Sequence, residues 1–177
     1  MKLLIINGSP RKNGRTGIVM RSIAKMYEME SIDLSGDEAV PLYNGADEQD
    51  QLESVINLRN KVKEADGIIL ASPEYHSGMS GVLKNALDFL GSEHFKHKPV
   101  ALLAVAGGGK GGINALNNMR TVMRGLYANT IPKQLVLDPI CFDYDNDSIK
   151  EDPSKLVDSL VEELKLYSKS YLVLKEV

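Results

Sequence analysis

Lys2-Leu3-Leu4-Ile5-Ile6-Asn7-Gly8-Ser9-Pro10-Arg11-Lys12-Asn13-Gly14-Arg15-Thr16-Gly17 is the stretch that decides the fold. An apolar run of strand length enters a turn with two glycines and three cations. From Gly17 an amphipathic stripe follows, with Ile18, Val19, Ser22, Ile23, Met26 and Tyr27 on one side. Strand, turn and helix in that order make an anion cradle, because free amides and the positive end of the helix dipole favour negative charge there. Arg11, Lys12 and Arg15 add charge, Ser9 and Thr16 add hydroxyl donors, and Gly8 and Gly14 let the backbone approach a ligand closely. The expected guest is a phosphate group. It is not the triphosphate of a P-loop enzyme: five residues separate Gly8 from Gly14, one more than that pattern has, and Arg15 stands where its lysine would be.

Outward from this turn the alternation of strands and helices continues. The short stretch Ser31-Ile32-Asp33-Leu34, the continuous apolar run 67–71 and the runs 100–105 and 134–137 read as four more strands. Between them, helical stripes carry Leu52, Val55, Ile56, Leu58 and Val62, then Val82, Leu83, Ala86, Leu87 and Leu90 behind a Ser80 cap, and then Ile113, Leu116, Met119, Met123 and Leu126. A last stripe holds Leu156, Val157, Leu160, Val161 and Leu164, and residues 35–50 form a long polar connection. The pattern predicts an α/β protein, a three-layer sandwich around a five-stranded parallel sheet with right-handed crossovers. The common order 2-1-3-4-5 puts a switch point between strands one and three, and ligands bind outside the carboxyl ends of strands at such a point. There the three most unusual segments, 7–17, 72–81 and 106–112, would converge.

Segment 72–81 offers Pro73, Glu74, Tyr75, His76 and Ser77 before Gly78 and Gly81, and its flat side chains could wall a planar ring. A serine hydrolase is disfavoured, since no Gly-x-Ser-x-Gly elbow surrounds these serines. Nor does the third strand, read as ending at Ala71-Ser72, supply an acid for magnesium. Segment 106–112 runs Ala106-Gly107-Gly108-Gly109-Lys110-Gly111-Gly112 and formally contains Gly-x-Gly-x-x-Gly. That fingerprint belongs in the first strand-helix turn, with an acid about 20 residues on. Here the glycines serve better to bring amides against a ligand edge where negative charge develops. Arg120 and Arg124 read as a solvated helix face, Lys84 and Asp88 as a surface pair, and His94 with His97 as a polar connector rather than a metal site.

A chain of 177 residues, 43% hydrophobic and 25% charged, is expected to form one globular domain over 1–177. A net charge of −3 gives no general pull toward nucleic acid or an anionic membrane, and no stretch approaches the length of a membrane span. The single cysteine, Cys141, cannot form an internal disulfide, which fits a reducing compartment; the expected location is the cytoplasm.

The turn Gly8-Ser9-Pro10-Arg11, the run Ser72-Pro73-Glu74-Tyr75-His76-Ser77-Gly78-Met79-Ser80-Gly81-Val82-Leu83-Lys84-Asn85-Ala86-Leu87-Asp88 and the glycine segment after the fourth strand resemble the NADPH-dependent FMN reductases, the bacterial azobenzene reductases in particular. The resemblance covers nearly the whole chain. It implies a flavodoxin-like fold, bound FMN, NADPH or NADH as co-substrate, and ping-pong reduction of quinones, azo compounds or similar small-molecule acceptors. It matches Ser9, Arg11 and Thr16, with Arg15 added, to the FMN phosphate. Pro73, Glu74, Tyr75, His76 and Ser77 match the segment along the ring, and Gly107, Gly108 and Gly109 match the loop at its pyrimidine end, where amides as far as Lys110 would stabilise charge. The chemistry is the flavin's own, with no catalytic side chain and no metal. It further implies a homodimer or homotetramer through 80–90 and 112–126. The alternative is a flavodoxin-like electron carrier with no enzymatic activity, although such carriers are usually strongly acidic and lack this basic turn. A dehydrogenase binding its dinucleotide at 106–112 is a second alternative.

Overall fold

The structure, a computed structural model, describes residues 1–109 and 111–175. In chain order the elements are β1 (Leu3–Asn7), α1 (Arg15–Tyr27), β2 (Glu30–Asp33), α2 (Glu53–Glu64) and β3 (Gly67–Tyr75), followed by β4 (Gly78–Met79), α3 (Gly81–Asp88) and α4 (Ser92–Phe95). The rest are β5 (Pro99–Val105), α5 (Ile113–Gly125), β6 (Asn129–Leu137), β7 (Phe142–Asp143), β8 (Ser148–Ile149) and α6 (Glu151–Lys175). The main sheet is parallel with the order β2-β1-β3-β5-β6, which is the expected 2-1-3-4-5.

Alternation along the strands builds two cores. Leu4, Ile6, Ile68, Leu70, Val100 and Leu102 face α2, α3 and α5, while Leu3, Ile5, Ile69, Ala101 and Leu103 face α1 and α6. All of β1 and β5 is buried, as continuous apolar runs covered on both sides must be. Among the described residues no helix is long and apolar enough to cross a membrane.

Four features differ from the sequence expectation. The third strand does not stop at Ser72 but runs to Tyr75 and folds back as a hairpin, with Glu74 opposite Met79 and Tyr75 opposite Gly78. The fifth strand starts at Asn129 rather than Gln134, because a register shift opposite Val100 to Leu102 accommodates Pro132. Arg120 is not on a solvated face: it is partly buried, and its guanidinium donates to Ile131 O at 3.1 Å and Gln134 Oε1 at 2.9 Å beside that shift. A second hairpin, β7–β8, is clamped to α1 by Arg21, which donates to both carboxylate oxygens of Asp147 at 2.6 Å.

The polar connection 35–50 is ordered by α3. Asn85 accepts from the Tyr43 amide and donates to Pro41 O, each at 2.8 Å, while the Tyr43 ring meets Phe89 edge-on at 5.1 Å.

Candidate functional site

β1, β3 and β5 end side by side, so the turns that follow them share one rim. The turn after β1 is held from beneath by Asn7, which is wholly buried. Its Nδ2 donates to Asp33 Oδ1 at 2.8 Å, which leaves Oδ1 to accept from the Ser9 amide at 3.1 Å. Ser9 Oγ in turn accepts from the Arg11 amide at 3.2 Å, so the hydroxyl proton remains to be donated elsewhere. Gly8 donates to Ala71 O of β3 at 2.8 Å; a β-carbon on Gly8 would lie 2.7 Å from Leu83 Cβ, so only glycine fits between loop and α3.

The start of α1 is open. Its N-cap is Gly14, which supplies no side-chain acceptor, and no acid lies in the first turn. The amides of Gly14 and Gly17 are bonded within the turn, whereas those of Arg15 and Thr16 have no protein acceptor among the described residues. Unmatched donors at a helix start call for an anion. Ser9 and Thr16 are buried beside them, and the Arg11 guanidinium lies over the Tyr75 ring, 5.7 Å from its centroid. These residues fit a phosphate monoester in donor count, charge and clearance.

The cleft beside them has a volume of about 240 Å³ and is lined by Ser9, Arg11, Gly14, Arg15 and Thr16 at one end and Pro73, Glu74, Tyr75, Val105 and Gly107 at the other. It therefore unites eight of the predicted residues: Ser9, Arg11, Arg15, Thr16, Pro73, Glu74, Tyr75 and Gly107. His76 and Ser77 do not line it, and neither do Gly108 and Gly109; all four are exposed. Lys110, the last of the amides expected near the ring, lies outside the described residues. Two participants carry no signal in the sequence: Val105, a strand-end residue, and the part-buried Asn7–Asp33 pair, whose two halves sit on different strands.

Gly78 and Gly81 are the residues of 72–81 whose type suits a tight turn. Instead, the left-handed positions of the hairpin turn are His76 and Ser77, with φ of 47° and 64°. Two such residues in succession make the turn that matches strand twist, at a steric cost that glycine would avoid. Ser80 ties this hairpin to the first turn: its hydroxyl donates to Gly8 O, accepts from the Leu83 amide at 3.0 Å to cap α3, and its own amide donates to Ser72 Oγ at 3.0 Å.

Two larger hollows lie elsewhere, one lined by Arg21, Lys25, Met26, Asp147 and Ile149, the other by Lys96, His97, Tyr171 and Leu174. Neither lies at a helix start, and the smaller cleft is the candidate site because convergent donors, not size, fix a ligand. His94 is buried and its Nδ1 accepts from the Gly91 amide at 3.0 Å; burial lowers its pKa, so it is a structural acceptor. No group of three or more His, Cys, Asp or Glu that could hold a metal ion occurs among the described residues.

Residues 1–140 match the family model described as NADPH-dependent FMN reductase. An NADPH azoreductase of Bacillus sp. strain OY1-2 is 53% identical over 176 residues, 99% of this chain and 97% of that one. An FMN-dependent NADPH-azoreductase of Staphylococcus aureus is 34% identical over 146 residues, 76% of each. Among solved structures, the flavoenzyme NAD(P)H:(acceptor) oxidoreductase FerB of Paracoccus denitrificans superposes with a TM-score of 0.76 at 22% identity, covering 95% of this chain and 97% of that one.

Proposed function

This chain belongs to the NADPH-dependent FMN reductase family, and we propose that it works as an FMN-dependent NAD(P)H oxidoreductase on azo compounds, quinones and similar flat acceptors. The observation that carries the reading is the open, basic start of α1 at one end of a cleft whose other end is walled by Pro73, Glu74 and Tyr75. FMN, when bound, supplies the redox chemistry, accepting a hydride from the nicotinamide and passing it to the acceptor.

The chain's own residues do the holding. The Arg15 and Thr16 amides, the Ser9 and Thr16 hydroxyls and the Arg11 and Arg15 guanidiniums grip the phosphate, and the helix dipole adds to their charge. Tyr75 and Pro73 wall the ring from the β3 side, and Gly107 lets backbone approach its edge from β5. His76, Ser77, Gly108 and Gly109 stand at the rim, where the nicotinamide and then the acceptor would pass. With one open face serving both in turn, kinetics are ping-pong. We further propose a single domain over the whole chain and a homo-oligomer through 80–90 and 112–126; the part of α3 that carries Asn85 is already covered by 41–43 of the same chain.

The 53% identical relative is an NADPH azoreductase by name, which favours an enzyme over an electron carrier. The test is anaerobic: purified protein loaded with FMN is mixed with NADPH and with NADH. An oxidoreductase loses its yellow absorbance directly and regains it when an azo dye or quinone is added. Protein that takes up no FMN, or whose flavin stays oxidised with both nucleotides, would end this reading.

A further inference from the structure

The hairpin that walls the cleft carries a carboxylate bonded to another element. Glu74 Oε2 accepts from the Ala115 amide at 2.9 Å. Ala115 is the third residue of α5, whose N-cap Gly112 has no side chain to offer and whose first turn holds no acid. Amides there have no partner inside the helix, and a carboxylate also meets the positive end of the dipole. The cap of α5 is thus supplied from 41 residues away. The returning strand of the hairpin makes a weaker tie alongside, the Met79 amide pointing to Asn118 Oδ1 at 3.4 Å.

What lies just before α5 is only partly fixed by packing, tightly at Gly112 and openly at Gly107 and Gly109. Gly108, Gly109 and Gly112 take φ of 119°, 73° and 96°, and a β-carbon on Gly107 or Gly109 would meet nothing within 4 Å. Glycines in open space have the most conformational freedom to lose on ordering. Gly111 and Gly112 are the exceptions: a β-carbon on Gly112 would lie 2.5 Å from Val136 Cγ1, and one on Gly111 would lie 3.4 Å from Ala106 Cβ and 3.7 Å from Glu74 Oε1.

We propose that Glu74 is a positioning residue for the cofactor's ring: by capping α5 it fixes the end of segment 106–112 against the hairpin, so that both walls of the ring pocket move as one body. The role rests on the FMN-binding reading above. It also explains why only one of the two glycine turns is free to take a phosphate, since the start of α5 already holds an anion.

The test compares wild type, Glu74→Ala and Glu74→Gln, with Arg11→Ala as a control on the phosphate end. Two quantities are read: amide hydrogen exchange across 106–116 in the flavin-free protein, and the Kd for riboflavin and for FMN. Glu74→Ala should speed exchange in that segment and weaken both flavins by one factor, about tenfold, as for a lost helix cap. Glu74→Gln, which keeps a neutral acceptor, should recover a large part of the loss, whereas Arg11→Ala should weaken FMN and leave riboflavin unchanged. Unchanged exchange and unchanged riboflavin binding in Glu74→Ala would overturn the proposal, and so would a loss confined to FMN, which would place the effect at the phosphate. If Glu74→Ala does not fold, Glu74→Asp, one methylene too short to reach the amide, puts the same question. A wild-type protein that binds neither flavin overturns the functional reading, and with it this role, even where exchange still shows the cap.

Discussion

α1 and α5 both follow a buried parallel strand, both start at a glycine N-cap and both lack an acid in the first turn. By these features alone they are equivalent anion sites, although only the first has a cluster of cations before it. In the fold they are opposites: the amides at the start of α1 face a cleft lined by Arg11 and Arg15, while the start of α5 is capped by Glu74. A glycine turn ahead of a helix therefore says that an anion belongs there, but not whether it is a ligand or a side chain of the same protein.

The hardest blow to this contrast is Arg11→Ala with Thr16→Ala. Each removes a donor to a doubly charged group, and charge-assisted bonds contribute about 1.5–3 kcal/mol apiece, so FMN affinity should fall by about two to four orders of magnitude. Riboflavin, which lacks the phosphate, should bind as before. Quenching of flavin fluorescence on titration gives both constants, and an equal loss for the two flavins would mean that the phosphate is held elsewhere.

The same contrast shows how much of the molecule was legible in the chain. The turn 7–17 could be read because everything that defines it is local: the apolar run before it, the glycines within it and the stripe after it. The parallel sheet followed from the alternation of strands and helices, whereas its order rested on the solution common to five such strands and not on any residue. The hairpin at 72–79 was hidden because its left-handed positions fall on His76 and Ser77, which do not advertise such backbone, while Pro73 and Gly78 mimic a loop. The roles of Glu74, Arg120 and the Arg21–Asp147 clamp were hidden for a different reason. Each depends on a partner brought near only by the finished fold, in the last case 126 residues away.

A smaller effect separates the two turns by backbone rather than charge. Gly8 is wedged against Leu83 and Ala71 O, whereas a β-carbon on Gly107 would meet nothing within 4 Å, and Gly107 does not take a left-handed φ. Gly8→Ala should cost about 2 kcal/mol of stability, the usual range for overpacking, and Gly107→Ala should be nearly neutral. Urea unfolding of both variants checks this; equal midpoints would show that the α1 turn can shift as freely as the glycine segment after β5.

The smallest expected effect concerns a helix end of the opposite sign. Lys98, buried at the start of β5, donates to the carbonyls of Val62 and Lys63, the last turn of α2, as Glu74 accepts at the first turn of α5. Burial, with Lys175 nearby, pushes its pKa down to about 8, against a smaller opposite pull from Asp66. The unfolded chain therefore binds more protons than the native one between about pH 8 and about pH 10.5, and stability rises with pH across that window. A neutral amine still has two N–H groups, so both carbonyls stay satisfied. Tyr27, whose pKa is raised by burial and its bond to Asp158, works the other way, but only as the pH passes about 10, where an unfolded tyrosine ionises. Wild-type stability should thus increase by on the order of 1 kcal/mol from about pH 8 to about pH 9.5, an increase that Lys98→Met should lack. Urea midpoints measured across that range decide it: parallel curves for the two proteins would mean that Lys98 keeps its ordinary affinity for a proton and that the end of α2 is wetter than its geometry implies.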